Sequence, residues 1–212
     1  MPDGLDHTWR RITNWLDAHA PATAVEVRDP VDAAVADAIE RDVGVALPRD
    51  LRAWWSLTDG VTDGMVLALI PDIHAPLPTA AARDEWQSLV ALSAGTSGHA
   101  DGEAGSLSHR YQKAFVPIST DHCGQVLFAD LRPGNWHGCV SEWDHETGFL
   151  QPPTWPDIMS MLTDIAYALE SGQPARTSFA QRCHATGFTH DPRVWAQVTD
   201  GELEWHAAEA ST

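Results

Sequence analysis

The stretch that decides the fold is "VGVALPRDLRAWWSLTDG", residues 43–60, in which two tryptophans stand side by side. Leu51, Trp54 and Trp55 have the spacing i, i+3 and i+4, which places their side chains on one broad face of a short helix. Pro48 suits the beginning of that helix. Because so short a helix is marginal alone, two indoles buried in a core explain the pair better than chemistry does.

The segments on either side also carry helical periodicity. Helices are predicted at residues 7–19, 30–43, 80–92 and 154–172. We expect Asp29 to cap the second of these, and Gly44 to end it. Gly60 is placed for a left-handed cap after the short tryptophan helix. In the last helix, Thr154 and Asp157 have the spacing of a capping box.

Short apolar runs separated by turn residues predict an antiparallel meander in the second half of the chain. The runs are "AFVPIS", "QVLFADL", "GCVSEWD" and "GFLQ", and the turns contain Gly124, Gly134, Gly138 and Gly148. An earlier run, "MVLALIP" (65–71), reads as a buried strand. Near the end, Asp200-Gly201 is a two-residue hairpin signal that pairs Val198 with Leu203 and Ala196 with Trp205.

These elements predict one main domain, residues 7–172, with an extension at 173–212 that contains a hairpin at 194–206. Residues 93–109, "SAGTSGHADGEAGSLSH", are rich in Gly, Ser and Asp and are predicted to be a flexible loop insertion. Helices and a meander in separate parts of the chain are typical of an α+β fold.

The composition narrows the classes of partner. The 212 residues carry 30 acidic side chains against 13 Lys and Arg, a net charge of −17. Such a surface repels nucleic acid and anionic membranes and attracts a basic partner. The three cysteines have no C-x-x-C spacing, and no apolar segment has the length of a signal peptide or a membrane span. We therefore expect a soluble, cytoplasmic protein.

Two turns contain the residues that could carry chemistry. "TDHCG" contains Asp121, His122 and Cys123, and "WHGC" contains His137 and Cys139. Neighbouring strand residues point to opposite faces, so His122 and Cys123 are poorly placed to act as base and nucleophile. A metal would need three or four converging ligands. The sequence therefore predicts no catalytic residue, no metal and no cofactor; a small hydrolase or metal enzyme would need these side chains to meet in one cleft.

The stretch "LPRDLRAWWSLTDG", after a helix that ends at Gly44, resembles the SUKH superfamily, which includes the Smi/Knr-like regulators of fungal cell-wall synthesis. "FVPISTDHCGQVLFADLRPGNWHGCVSEWD" is similar to the central strands of that family, and "WPDIMSMLTDIAYALESG" to its closing helix. The resemblance covers roughly residues 7–172. The matched positions are Gly44, Leu47, Pro48, Trp54, Gly60, Gly124, Asp130, Gly134, Gly138 and Val140.

The resemblance implies a single SUKH-like domain, in which helices pack around a bent, mainly antiparallel sheet, and a non-enzymatic protein-binding role. Many bacterial members are regarded as immunity proteins that bind and block a cognate toxin, and others as regulators. The expected partner is another protein, such as a basic toxin domain, and a regulatory scaffold in cell-wall or growth control is the alternative. Trp136, in a turn, is the first candidate for the contact with this partner. The interface and the oligomeric state stay open.

Overall fold

A computed structural model describes residues 4–62, 68–94, 102–144, 153–178 and 193–207, and in these ranges helices are concentrated in the first half of the chain and are followed by a meander. The helices are α1 (Leu5–His19), α2 (Pro21–Ala24), α3 (Ala33–Val43), α4 (Arg49–Trp55), α5 (Thr79–Ser93) and α6 (Ile158–Ser171). None of them, within those ranges, is long and apolar enough to cross a membrane.

The strands form two antiparallel sheets, which confirms the predicted α+β class. They are β1 (Ala75–Pro76), β2 (Phe115–Thr120), β3 (Gln125–Asp130), β4 (Cys139–Asp144), β5 (Ala175–Arg176), β6 (Arg193–Thr199) and β7 (Glu202–Ala207). The first sheet has the order β1-β2-β3-β4, and the second has the order β5-β6-β7. A register shift between Pro117 and Ser119 interrupts the β2–β3 pairing, as a β-bulge does.

The tryptophan pair of the opening stretch is a packing feature, as its spacing predicts. Trp54 and Trp55 are buried, and the ring of Trp54 meets that of Trp9 edge to face at 6.2 Å. A carboxylate oxygen of Glu40 in α3 fixes the approach to α4, because it accepts from the Leu47 amide at 2.9 Å and from the Arg52 guanidinium at 2.6 Å. The Leu47 amide and Arg52 hold the pKa of Glu40 below its usual range.

Two helices begin later than the sequence predicts. The cap of α3 is Asp32, whose carboxylate accepts from the Ala34 amide at 2.9 Å. Asp29 cannot serve, because its carbonyl accepts from the Asp59 amide in an extended segment beside residues 59–61. The helix predicted at 154–172 begins at Ile158, after the cap Asp157, because the amide of Thr154 donates to Val140 in β4.

The glycine predictions hold in part. Gly44 and Gly172 end α3 and α6 in the left-handed conformation, as expected. Gly60 also has a positive φ, 71°, but α4 has already ended at Trp55, so Gly60 is not its cap. The glycine instead lets the backbone pass against Leu77, beside β1.

The C-terminal hairpin has the predicted register, with Val198 opposite Leu203 and Ala196 opposite Trp205. Trp205 anchors it, since its indole nitrogen donates to the Ala68 carbonyl at 3.0 Å. The hairpin also gains β5 as a third strand, which the sequence did not indicate. The boundary between a main domain and an extension at residue 173 stays a prediction.

Several predicted segments are only partly described. Of the predicted strand at 65–71, only residues 68–71 are described, and there Ile70 forms an isolated bridge with His74 instead of a strand. The run "GFLQ" and residues 95–101 of the predicted loop insertion lie outside the described residues.

Candidate protein-binding surface

The turn between β3 and β4 carries Trp136 at its surface, with 47% of the residue exposed. Gly134 and Gly138 supply the positive φ values, 128° and 89°, that the turn requires. The Gly138 amide closes the turn by donating to the Asp130 carbonyl at 2.7 Å. The turn is therefore fixed at its base, and it presents a large apolar ring to solvent.

One side of the Trp136 side chain packs against residues 102–108. A Cβ added at Gly105 would lie 3.1 Å from both Cβ and Cγ of Trp136, so these two segments of the chain are in close contact. Leu107, two residues further on, is 42% exposed. We define the Trp136 surface as the turn 131–138 together with segment 102–108. A half-exposed indole with an exposed leucine nearby is a typical anchor for a protein partner.

A buried ion pair holds the two halves of the Trp136 surface together. Asp130 accepts from Nε and Nη2 of Arg132, and the Nη2 contact is 2.7 Å. The second carboxylate oxygen of Asp130 also accepts from the Gly105 amide at 2.9 Å, while Arg132 donates to the Ser106 carbonyl at 2.7 Å. The guanidinium lies 4.9 Å from the centre of the Phe115 ring, a cation–π contact.

The net charge of the protein as a whole is strongly negative. Most arginines of the described residues are already engaged by carboxylates, and even one-to-one pairing of all 13 cations would leave a surplus because 30 acidic groups are present. The pairs are Arg10–Asp6, Arg11–Glu170, Arg28–Asp59, Arg52–Asp37, Arg83–Asp42 and Arg132–Asp130. An approaching partner therefore meets a negative electrostatic potential.

The four residues of the alternative enzyme hypothesis do not form one site. Asp121 and His122 lie in the β2–β3 turn, whereas His137 and Cys139 lie at the β3–β4 turn. Consecutive turns of a meander sit at opposite ends of the shared strand, and β3 separates these two by about 15 Å. The close approach of the two turns that a shared cleft requires is absent. The Asp121 carboxylate instead shapes its own turn, where it accepts from the amides of Cys123 and Gln125.

The described cysteines differ in reactivity. Burial, with the negative charge of Asp130, raises the pKa of Cys139 to about 12, whereas Cys123 is exposed. We expect iodoacetamide at pH 8 to alkylate Cys123 within minutes and to leave Cys139 unmodified until denaturant is added, because only the thiolate reacts. Mass spectrometry of the digested protein measures each site separately. Rapid labelling of Cys139 in the folded protein would contradict this placement.

A polar cluster in the core has no counterpart in the predicted sites. Nε2 of His74 lies 2.9 Å from a carboxylate oxygen of Glu142, and the hydroxyl of Ser178 contacts the same oxygen. The hydroxyl of Ser119 lies 3.3 Å from Nδ1 of His74. These side chains resemble the parts of a hydrolase site, but His74 and Ser119 are 0% exposed, so no substrate can reach them in this structure. One signal was present in the sequence: Glu142 interrupts an apolar strand.

A groove beside α6 is a second surface feature, with a volume of about 400 Å³. Tyr167, which is 55% exposed, lines this groove. Asp164 lines it as well, and its carboxylate accepts hydrogen bonds from the Trp155 indole and the Arg176 amide. Tyr167 belongs to the regular helix α6, whereas Trp136 belongs to a turn. This makes Tyr167 a matched reference for Trp136.

The structure therefore defines an α+β domain whose most exposed tryptophan sits on a fixed turn and whose chemistry-bearing residues are buried or dispersed in the described ranges. The chain belongs to the SMI1 / KNR4 family (SUKH-1), whose model matches residues 30–164. This confirms the resemblance seen in the sequence, and it supports a non-enzymatic protein-interaction or regulatory role.

A similar protein is the cell wall biosynthesis/cell cycle regulator smi1 of Schizosaccharomyces pombe. It is 22% identical over 196 residues, which cover 82% of this chain. The match spans only 38% of the yeast protein, so most of that protein has no counterpart here.

Proposed function

We propose that this protein is an immunity protein that binds and neutralises a cognate toxin with a basic contact surface, through the Trp136 surface. The observation that carries the proposal is the half-exposed indole of Trp136 on a turn fixed by the buried Asp130–Arg132 pair. A rigid aromatic anchor loses little conformational entropy on binding, which is why tryptophan dominates the energy of many interfaces.

The acidic surplus supports a basic partner. A net charge of −17 steers a cationic protein toward the surface and disfavours nucleic acid and anionic lipid. Opposite charge accelerates the association of the two proteins, while burial of the exposed part of the indole by the partner slows the dissociation of the complex. Raising the salt concentration should therefore lower the association rate more than it raises the dissociation rate.

Calorimetry with the products of neighbouring genes tests the proposal. Trp136→Ala should weaken binding by about 30-fold or more, because truncation of a central aromatic anchor costs about 2 kcal/mol. Tyr167→Ala, an exposed aromatic on the other surface, should change the affinity by less than about 3-fold. Both variants should stay folded with at most a small drop in melting temperature, since both side chains are about half exposed and lie outside the core.

Three outcomes would count against the proposal. These are an unchanged affinity in Trp136→Ala, an equal loss in Tyr167→Ala, or no partner captured at low salt. If a neighbouring gene product proves toxic, protection of cells that express it gives the functional readout, and protection should be lost in Trp136→Ala but not in Tyr167→Ala.

A regulatory scaffold in cell-wall or growth control is the second candidate, and the yeast relative named as a cell-wall and cell-cycle regulator favours it. Deletion of the gene that encodes this protein distinguishes the two proposed functions. An immunity protein should be dispensable in cells that lack the toxin, whereas a regulator should leave a growth or envelope defect in the same cells.

A further inference from the structure

Three possible metal ligands converge under the surface, away from the Trp136 surface. The ligand atoms of Asp72, His74 and Glu142 all lie within 4.8 Å of one another, and this is the one such His/Cys/Asp/Glu group among the described residues. We propose that these three side chains bind one divalent transition-metal ion, with Zn²⁺ as the best match, in a structural role. The inference does not depend on the proposed function.

The fold positions the three ligands before any ion arrives. The amide of Ile70 donates to the His74 carbonyl at 3.1 Å, which closes a tight turn with Asp72 at its corner. The φ of Asp72 is 83°, in the left-handed region. Glu142 enters from the middle of β4, where the other strand residues are buried as well. The ligands thus come from two distant parts of the chain and meet because the turn lies over the sheet.

One tautomer of His74 leaves the lone pair of Nε2 available to a cation. The Ser119 hydroxyl lies 3.3 Å from Nδ1 of His74 and can accept its proton. In that tautomer, the lone pair of Nε2 faces the Glu142 carboxylate oxygen at 2.9 Å. At this distance the two lone pairs repel each other unless a proton or a metal ion lies between them. Metal-binding histidines are commonly oriented in this way, through a hydrogen bond from the other ring nitrogen.

The ligand types indicate which ion fits. Zn²⁺ accepts imidazole and carboxylate together, whereas Ca²⁺ and Mg²⁺ prefer oxygen alone. Two carboxylates and a neutral imidazole carry a charge of −2, which the ion cancels, and that matters because His74 and Glu142 are 0% exposed as side chains. With two of its three ligands fully buried, such an ion would act by stabilising the fold.

The bound ion would join three parts of the protein. These are the 70–74 turn, strand β4 and, through the contact of Ser178 with Glu142, the chain that follows β5. Because binding occurs in the folded state, zinc should raise the melting temperature, and a chelator should lower it.

Titration of the untagged full chain tests the site. The background is Cys123→Ser/Cys183→Ser, which removes an exposed thiol and a second cysteine that could bind zinc independently. After chelator treatment, calorimetry should show one equivalent of Zn²⁺, with a rise in melting temperature. Bound Co²⁺ should give the intense visible bands of a four-coordinate site, formed by the three side chains and a water molecule on the partly exposed Asp72 side, without a thiolate charge-transfer band.

The variants separate this site from adventitious binding. Asp72→Asn removes the partly exposed ligand and should weaken zinc binding by at least about 100-fold. Glu204→Gln is the control, because His206 and Glu204 are also 2.9 Å apart but are exposed and, among the described residues, have no third ligand beside them. Absence of stoichiometric binding, equal affinity in Asp72→Asn, or loss in Glu204→Gln would each overturn the proposal. Toxin binding and zinc binding are measured separately, so either can fail alone.

Discussion

Replacing Gly60 with alanine is expected to lower the free energy of unfolding by about 3 kcal/mol or more. An added Cβ would lie 2.5 Å from the Leu77 carbonyl carbon and 2.7 Å from the Pro76 oxygen, and both are backbone atoms that no rotamer change can move. The φ of 71° adds the strain of a left-handed L-residue. Left-handed strain and overpacking each cost roughly 1–3 kcal/mol.

The substitution should also weaken neighbouring hydrogen bonds, because Gly60 lies where two other segments of the chain meet. Its carbonyl accepts from the Arg28 amide at 3.0 Å, and the next residue, Val61, donates to Pro76 at 3.1 Å. Alanine at position 60 would push the 59–62 segment away from β1 and weaken both contacts. Urea unfolding followed by circular dichroism measures the change in the midpoint.

Gly172→Ala is the matched control for this prediction. Gly172 also has a left-handed φ, 66°, but no atom lies within 4 Å of an added Cβ. Its replacement should cost only about 1 kcal/mol, the conformational part alone. Equal losses in the two variants would show that the contact with Leu77 does not matter.

Local patterns predict local structure well in this chain. The spacing of Ile158, Met161 and Leu162 identifies the buried face of α6, and Asp200-Gly201 gives the hairpin register. Each of these signals depends on residues a few positions apart, whose geometry a helix or a two-residue turn fixes without help from the rest of the fold.

Helix beginnings are less predictable because the chain offers several capping residues. Asp29 and Asp32 are both of a residue type that caps helices, but Asp29 is held in an extended segment beside Asp59, and Asp32 caps α3. The same holds for Gly60, where the residue type permits a positive φ but the neighbour that requires a glycine, Leu77, comes from another segment of the chain.

Buried polar groups were missed for a similar reason. His74 and Glu142 are 68 residues apart, and nothing in the sequence near either one indicates the other. Arg132 could have been found, since it follows Asp130 by two positions at the start of the β3–β4 turn. The alternative hypothesis of a small hydrolase or metal enzyme requires the two turns to meet in one cleft, whereas the meander places them at opposite ends of β3.

Asp130→Asn is the second substitution with a large expected effect, a loss of about 3–5 kcal/mol in the free energy of unfolding. The change keeps the shape of the side chain but leaves the buried Arg132 guanidinium without a compensating charge, which is the costly way to break a buried ion pair. Differential scanning calorimetry should show a lower melting temperature.

Asp6→Asn provides the control, because the Arg10–Asp6 pair is largely exposed and such pairs contribute little. It should leave the melting temperature nearly unchanged. Adding Arg132→Met to Asp130→Asn should recover part of the loss, since it removes the uncompensated charge as well. If Asp130→Asn proves no more harmful than Asp6→Asn, the pair does not support the fold.

The same variant connects stability with partner binding. Asp130 holds the Gly105 amide, and Gly105 packs against Trp136, so the loss of the carboxylate should free segment 102–108 before the rest of the protein unfolds. Hydrogen exchange should therefore accelerate at the Gly105 amide under conditions where the α6 core amides stay protected. A partner that binds through Trp136 should then dissociate faster from Asp130→Asn, because the indole is no longer held in place before contact.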